Sequence, residues 1–139
     1  MTEPLGARLV RRFYDEIWNQ ADEAVAREIL ADDLSFRGSI GEDRAGAEGF
    51  IDYMRKIHHA FADYHCRIDH LVADADSAAA RMTFSGLHCE SLWGEKPTGH
   101  TVTWAGAAFF TVRDGQIATI WVLGDTDGLR RQLAGSVVA

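Results

Sequence analysis

The chain has 139 residues, 47% hydrophobic and 25% charged, the size and makeup of one globular domain. Fourteen basic and 21 acidic residues leave a formal charge of −7. That balance excludes the basic face that nucleic acid or an anionic membrane surface requires. Arg8, Arg11, Arg12, Asp15 and Glu16 interrupt the first apolar stretch, so no signal peptide is expected. No apolar run approaches the length of a bilayer span, and the expected location is the cytoplasm. Cys66 and Cys89 are the only cysteines, and in this setting they are expected to be free thiols.

Leu5, Leu9, Phe13 and Ile17, flanked by Val10, Tyr14 and Trp18, step at helical spacing and predict a first helix from about Leu5 to Asn19. Pro4 suits its first turn. Asp22 reads as the cap of a short second helix ending near Leu30. A brief strand, Leu34 to Arg37, follows, and Gly38, Ser39 and Gly41 mark a loop. Ala47, Phe50, Ile51, Met54, Ile57 and Phe61 give a third amphipathic helix. After Asp63 the period becomes strand-like. Tyr64 to Ala73 and Ala78 to His88 are strands joined by a turn at Asp74-Ala75-Asp76. Leu92 to Gly99 is a loop, and Thr101 to Val112 is a long strand rich in Thr, Val, Trp and Phe. Asp114-Gly115 signals a tight hairpin, Gln116 to Leu123 returns antiparallel, and a last helix covers Asp125 to Leu133. Helices come first and four antiparallel strands follow. The predicted fold is a single α+β domain, residues 1–139, with helices packed on one face of a curved sheet. Apolar side chains on the other face would invite a homodimer or higher homo-oligomer.

The ordered motifs resemble a known family, the SnoaL-like polyketide (ester) cyclases. The resemblance runs from roughly Leu9 to Leu133. It rests on Tyr14-Asp15-Glu16-Ile17-Trp18-Asn19 at the end of the first helix, and on Gly86-Leu87-His88, Gly94 and Pro97-Thr98-Gly99. Further on it rests on Val102, Gly106, Phe110, Asp114-Gly115-Gln116-Ile117, Trp121, Asp125, Gly128-Leu129 and Gln132-Leu133. Phe61-Ala62-Asp63 departs from the family's usual Phe-Pro-Asp. The resemblance implies a cone-shaped α+β barrel, shared with ketosteroid isomerase, scytalone dehydratase and nuclear transport factor 2. It also implies an acid/base aspartate at the position of Asp125. Fold alone does not fix the reaction, because this architecture hosts enzymes, binders and assembly modules.

Asp125 ends a strongly apolar strand, where a carboxylate is poorly solvated and able to move protons without a cofactor. The same residue type also caps helices, and a helix follows it. Strand alternation puts Trp121, Leu123 and Asp125 on one face, which makes Trp121 a pocket candidate if that face lines the pocket. His88, at a strand end near the mouth of the cone, is the second catalytic candidate, as a partner for a substrate carbonyl or for Asp125. Arg37, beside a glycine loop, suits a substrate oxygen or a surface ion pair. Trp18, Phe36, Met82, Phe84 and Trp104 are wall candidates for substrate binding, as are Met54 and Phe110, against ordinary core packing as the alternative.

No metal site is read. His58-His59, His65-Cys66 and His88-Cys89 are sequence neighbours that diverge on their elements. Phosphate-cradling GxxxxGK, GxGxxG and the GxSxG elbow are absent from the sequence. The expectation is a cofactor-independent enzyme acting on a small apolar or aromatic carbonyl compound. Asp125 would remove a proton next to a carbonyl, and an intramolecular aldol step would close a ring. The alternatives are an isomerase or dehydratase with the same parts, a non-catalytic binder of a small apolar ligand, or a dimerisation module. The substrate is not legible.

Overall fold

A computed structural model describes residues 3–135 of the chain. Its elements are α1 (Leu5–Arg12), a π-helical segment (Phe13–Trp18), α2 (Glu23–Ile29), β1 (Leu30–Arg37), β2 (Asp43–Ala45) and α3 (Gly46–Ala60). Then come β3 (Phe61–Ala73), β4 (Ser77–His88), β5 (Thr101–Arg113), β6 (Gln116–Gly124) and α4 (Thr126–Leu133). The α+β class and the sheet wrapped on helices are as the sequence predicts. The sheet is larger and mixed, in the order β2-β1-β6-β5-β4-β3. Its β3–β6 portion is the expected antiparallel run, with long registers such as Ser77↔Thr111 to Leu87↔Thr101. The Asp114-Gly115 turn has both residues at positive φ, 52° and 77°, the geometry that matches strand twist in a two-residue hairpin.

Three features depart from the expectation. The first helix does not continue as α-helix to Asn19; from Phe13 to Trp18 it widens into a π-helix. Local apolar spacing does not distinguish the two, and the wider turn buries Phe13, Tyr14, Ile17 and Trp18 together. The strand read as Leu34 to Arg37 begins at Leu30 and lies parallel to β6, with Phe36 beside Ile120 and Arg37 beside Trp121. Its register shifts between Leu30 and Ser35, which hides strand alternation in the Asp32-Asp33 stretch. Finally, β2 pairs with β1 through only three residues, too few to leave a sequence pattern.

The helices close the concave face of the sheet over a core of aromatic rings. Trp18 meets Phe50 at 5.5 Å and Tyr53 at 6.1 Å, both edge-on at 90°. Phe36 meets Phe50 at 5.0 Å and 82°. Edge-to-face pairs of this kind contribute about 0.5–1.5 kcal/mol each beyond area burial. Side-chain amides complete the backbone where strands run out of partners. The Asn19 amide donates to the Cys66 carbonyl and accepts from the Cys66 N–H, acting as a one-residue strand beside β3. Gln132 does the same for Thr103 of β5, beyond the end of β6. Asp22 caps α2 as expected, accepting from the Val25 N–H at 3.1 Å.

Gly86 allows Phe61 to lie against β4, since a Cβ there would stand 2.7 Å from the Phe61 Cβ. Gly86→Ala is expected to cost about 1–3 kcal/mol by overpacking. Urea unfolding of the variant measures this, and an unchanged midpoint contradicts the close approach.

Candidate functional site

The cone interior is nearly filled. Between the helices and the concave sheet face lies a cavity of about 10 Å³. That is about one water molecule's worth. Phe13, Tyr14 and Trp18 from the π-helical segment line it, with Phe36, Ser39, Tyr53, Tyr64, Phe84 and Val122. The predicted wall residues Trp18, Phe36 and Phe84 are therefore in place. Met82 is fully buried in the core outside that lining, as are Met54 and Phe110. Trp104 stands behind the wall, 5.6 Å from Phe84 and 6.0 Å from Tyr64 by ring centroids.

Sequence reasoning missed Tyr14, Tyr53 and Tyr64 as lining residues, although each sits beside positions read as core. Burial is the main cause that pushes their phenols, and the Cys66 thiol, well above their ordinary ranges. These four groups therefore stay protonated at neutral pH, and the cavity wall carries no charge.

His88 is fully buried at the end of β4, with its ring 5.9 Å from that of Phe61. The following loop folds back over it: His88 N–H donates to the His100 carbonyl and Gly99 N–H donates to the His88 carbonyl. Thr98 supplies the contacts to Nδ1, a backbone N–H at 3.1 Å and the hydroxyl at 3.2 Å. Among the described residues, two buried side-chain nitrogens lack a hydrogen-bond partner, His88 Nε2 and Trp104 Nε1. Burial lowers the His88 pKa below the ordinary histidine range. The Glu90 carbonyl and the Glu95 carboxylate oppose that effect and are outweighed; the Glu90 carbonyl stays outside hydrogen-bond geometry at Nε2.

Asp125 does not face the cavity. It is exposed, and its carboxylate caps α4 by accepting from the Gly128 N–H at 3.0 Å. The alternation that groups Trp121, Leu123 and Asp125 holds, but their face is the outer one. Ile120 and Val122 point inward, whereas Trp121 and Leu123 are 45% and 52% exposed. A register shift between Thr111 and Val112 resets the phase, so that Ile117 and Ala118 are both buried at the start of β6. Arg37 also lies on that side. Its guanidinium donates to the Val122 carbonyl and sits 5.1 Å from the Trp121 ring centre, in place of the expected ion pair or pocket contact. His100 is exposed. Cys66 is buried, Cys89 is exposed, and both are free. Among the described residues no three His, Cys, Asp or Glu side chains are grouped to hold a metal ion. No helix among them is long and apolar enough to cross a membrane.

Residues 8–133 match the family described as SnoaL-like polyketide cyclase, so the chain belongs to that family. No curated protein matches it. TsrD from Streptomyces laurentii is 27% identical, with a TM-score of 0.82 over 96% of this chain and 97% of that one. A SnoaL-like polyketide cyclase from Agrobacterium tumefaciens strain C58 is 21% identical, with a TM-score of 0.79 over 95% and 99%. A proposed SnoaL-like polyketide cyclase from Jannaschia sp. CCS1 is 18% identical, with a TM-score of 0.85 over 96% of both chains. At these two lower identities the likeness is one of fold.

Two predictions follow from the site's geometry. Asp125→Ala removes a helix cap and is expected to lower stability by about 1 kcal/mol, whereas Asp125→Asn, an equally good cap, is expected to change it little. Thermal melts of both variants check the cap, and equal losses contradict it. His88 is neutral in the fold but takes a proton when unfolded near its ordinary pKa of about 6.5. Its burial therefore stabilises fully above that pH, and the contribution is lost as pH falls through the lowered folded value. His58, also lowered by burial, acts in the same direction. Stability measured against pH should fall on acidification below about 6.5, less steeply in His88→Gln; an identical slope in that variant would rule out the buried neutral ring.

Proposed function

We propose that the chain is a cofactor-independent cyclase acting on a small, largely apolar carbonyl compound held within the cone. The observation that carries this reading is the buried His88 nitrogen left without a partner. A buried polar atom of this kind is costly unless something satisfies it, and a carbonyl oxygen brought by a ligand would do so. In the proposed reaction Asp125 takes a proton from the carbon beside a carbonyl. The enolate carbon then bonds to a second carbonyl carbon of the same molecule, and the proton passes from Asp125 to the new alkoxide. The carboxylate is regenerated, and no electrons enter or leave. Asp125 follows the end of β6, with its N–H on the Ala105 carbonyl, while the His88 N–H reaches the His100 carbonyl. Both therefore lie at the end of the sheet where β5 begins. Reaching a substrate requires Asp125 to leave the Gly128 N–H and the aromatic walls to part, since a ring-sized ligand needs a few hundred Å³. Trp18, Phe36 and Phe84 would contact the ligand, with Met82 and Trp104 supporting them from behind.

A second reading is a binding or dimerisation protein without catalysis. The nearly filled cone and the exposed, capping Asp125 favour it. An aromatic 1,5-diketone separates the two readings. The cyclase reading expects ring closure by the native chain and a loss of at least about 100-fold in Asp125→Asn, with stability retained. Tight binding without ring closure would support the non-catalytic reading.

The outer face points to a homodimer in either case. Val72, Ala79, Phe109 and Trp121 are register neighbours in one row across β3, β4, β5 and β6, and Leu123 lies beside them. Four of these five, all but Ala79, are large side chains about half exposed. A continuous apolar row of this kind is an interaction surface more than scattered exposure. Arg37 ends the row at β1, and Asp74 lies past Val72 at the far end of β3. A second copy turned by two-fold symmetry would bring opposite charges together. Sedimentation should show a dimer that Trp121→Glu converts to monomer; a monomeric native chain would contradict this interface.

A further inference from the structure

The Pro97-Thr98-Gly99 motif has a physical role at His88. Gly99 takes a φ of +70°, open to glycine without strain, and this turns its N–H onto the His88 carbonyl at 3.0 Å. Thr98 then presents its own N–H to Nδ1. That backbone N–H makes Nδ1 an acceptor, and the Thr98 hydroxyl, which accepts from the His100 N–H at 3.2 Å, keeps its own proton to give to the bare Nδ1. Nδ1 thus meets donors only. A neutral imidazole has one bare nitrogen and one N–H, so the bare nitrogen is Nδ1 and the proton sits on Nε2. That N–H is buried and has no partner. The Trp104 indole N–H is in the same condition, and the two rings flank Phe61 at 5.9 and 5.5 Å. Both unpartnered groups are donors, so the complementary ligand group is an acceptor.

We propose that Thr98 is a positioning residue that holds His88 as the neutral Nε2–H tautomer, so that His88 donates to a carbonyl or enolate oxygen rather than serving as the base. The inference rests on the reading that the cone binds a carbonyl compound. It adds the ligand's required chemistry: an uncharged or anionic oxygen acceptor, with ammonium and other donor groups disfavoured. An oxygen that gains negative charge during proton removal would be held more tightly than the starting ketone, as electrostatic stabilisation of a transition state requires.

The test uses the whole chain with ¹⁵N-labelled histidine. Two-bond ¹H–¹⁵N correlation spectra, with His88 assigned by its loss in His88→Gln, should show a protonated Nε2 and a bare Nδ1 at neutral pH. A protonated Nδ1 overturns the role of Thr98 whether or not any ligand binds. The binding arm compares 2-acetylnaphthalene with 2-isopropenylnaphthalene, which has nearly the same shape and no oxygen. The ketone should bind better and shift the Nε2 resonance. His88→Gln, whose amide nitrogen can occupy the Nε2 position, should keep that preference. His88→Asn, whose amide reaches only the Nδ1 position, should lose about tenfold of it. Equal binding of ketone and alkene by the native chain, or an equal loss in both variants, overturns donation from Nε2. If neither naphthalene binds while the Nε2–H tautomer is seen, the carbonyl-ligand reading fails and donation falls with it, leaving only the tautomer assignment standing.

Discussion

The exclusion of charge from the inside of the cone is the constraint on which the rest of the structure depends. Helices and the curved sheet leave almost no water between them, so an ionised group there would face a desolvation cost of several kcal/mol. The residues that line the cavity answer by remaining neutral. Burial holds the lining phenols of Tyr14, Tyr53 and Tyr64 in their protonated forms, and outside the lining it keeps the Cys66 thiol protonated and favours neutral His88. The carboxylates are on the outside, where Glu23, Glu48 and Glu42 pair with arginines and lysine around the helices. Asp125 obeys the same rule and turns to the solvent side to cap α4.

Backbone polarity is handled with similar economy. On the free edge of β3 and where β5 runs past the end of β6, the amides of Asn19 and Gln132 replace a missing strand, so these backbone groups stay satisfied without enlarging the sheet. Against that background the nitrogens of His88 and Trp104 stand out as buried side-chain groups without a hydrogen-bond partner among the described residues. The π-helical segment belongs to the same arrangement. Its wider turn delivers Phe13, Tyr14 and Trp18 to the cavity at once, so the wall of the site is built from a local irregularity of the first helix.

Much of this was legible in the sequence because it depends on local pattern. The helix faces of Leu5–Ile17 and Ala47–Phe61, the long strands, the Asp114-Gly115 hairpin and the Asp22 cap all follow from spacing and turn chemistry. Asp125 was ambiguous for a physical reason: a carboxylate between an apolar strand and a helix satisfies the signature of a cap and of a buried acid equally. What decides between them is the phase of β6, which is reset by an extra residue, Ala118, opposite the Thr111–Val112 step of β5. Alternation groups Trp121 with Leu123 and Asp125 without saying which face turns inward, and Trp121 stands outside. Parallel pairing of β1 with β6 joins residues more than eighty positions apart and has no local signature. The partnering of His88 was equally hidden. Its sequence shows a histidine at a strand end, whereas its tautomer depends on a loop that returns ten residues later with Thr98.

The account's central claim is that the nearly filled aromatic cone opens to receive a carbonyl oxygen at the buried histidine beside it. A crystal structure of the chain soaked or co-crystallised with 2-acetylnaphthalene tests it most directly. The account predicts the ketone oxygen within hydrogen-bond distance of His88 Nε2, its rings against Trp18, Phe36 and Phe84, and Thr98 still bonded to Nδ1. A ketone bound only on the outer sheet face, or one inside the cone with its oxygen turned away from an unpartnered Nε2, would contradict it.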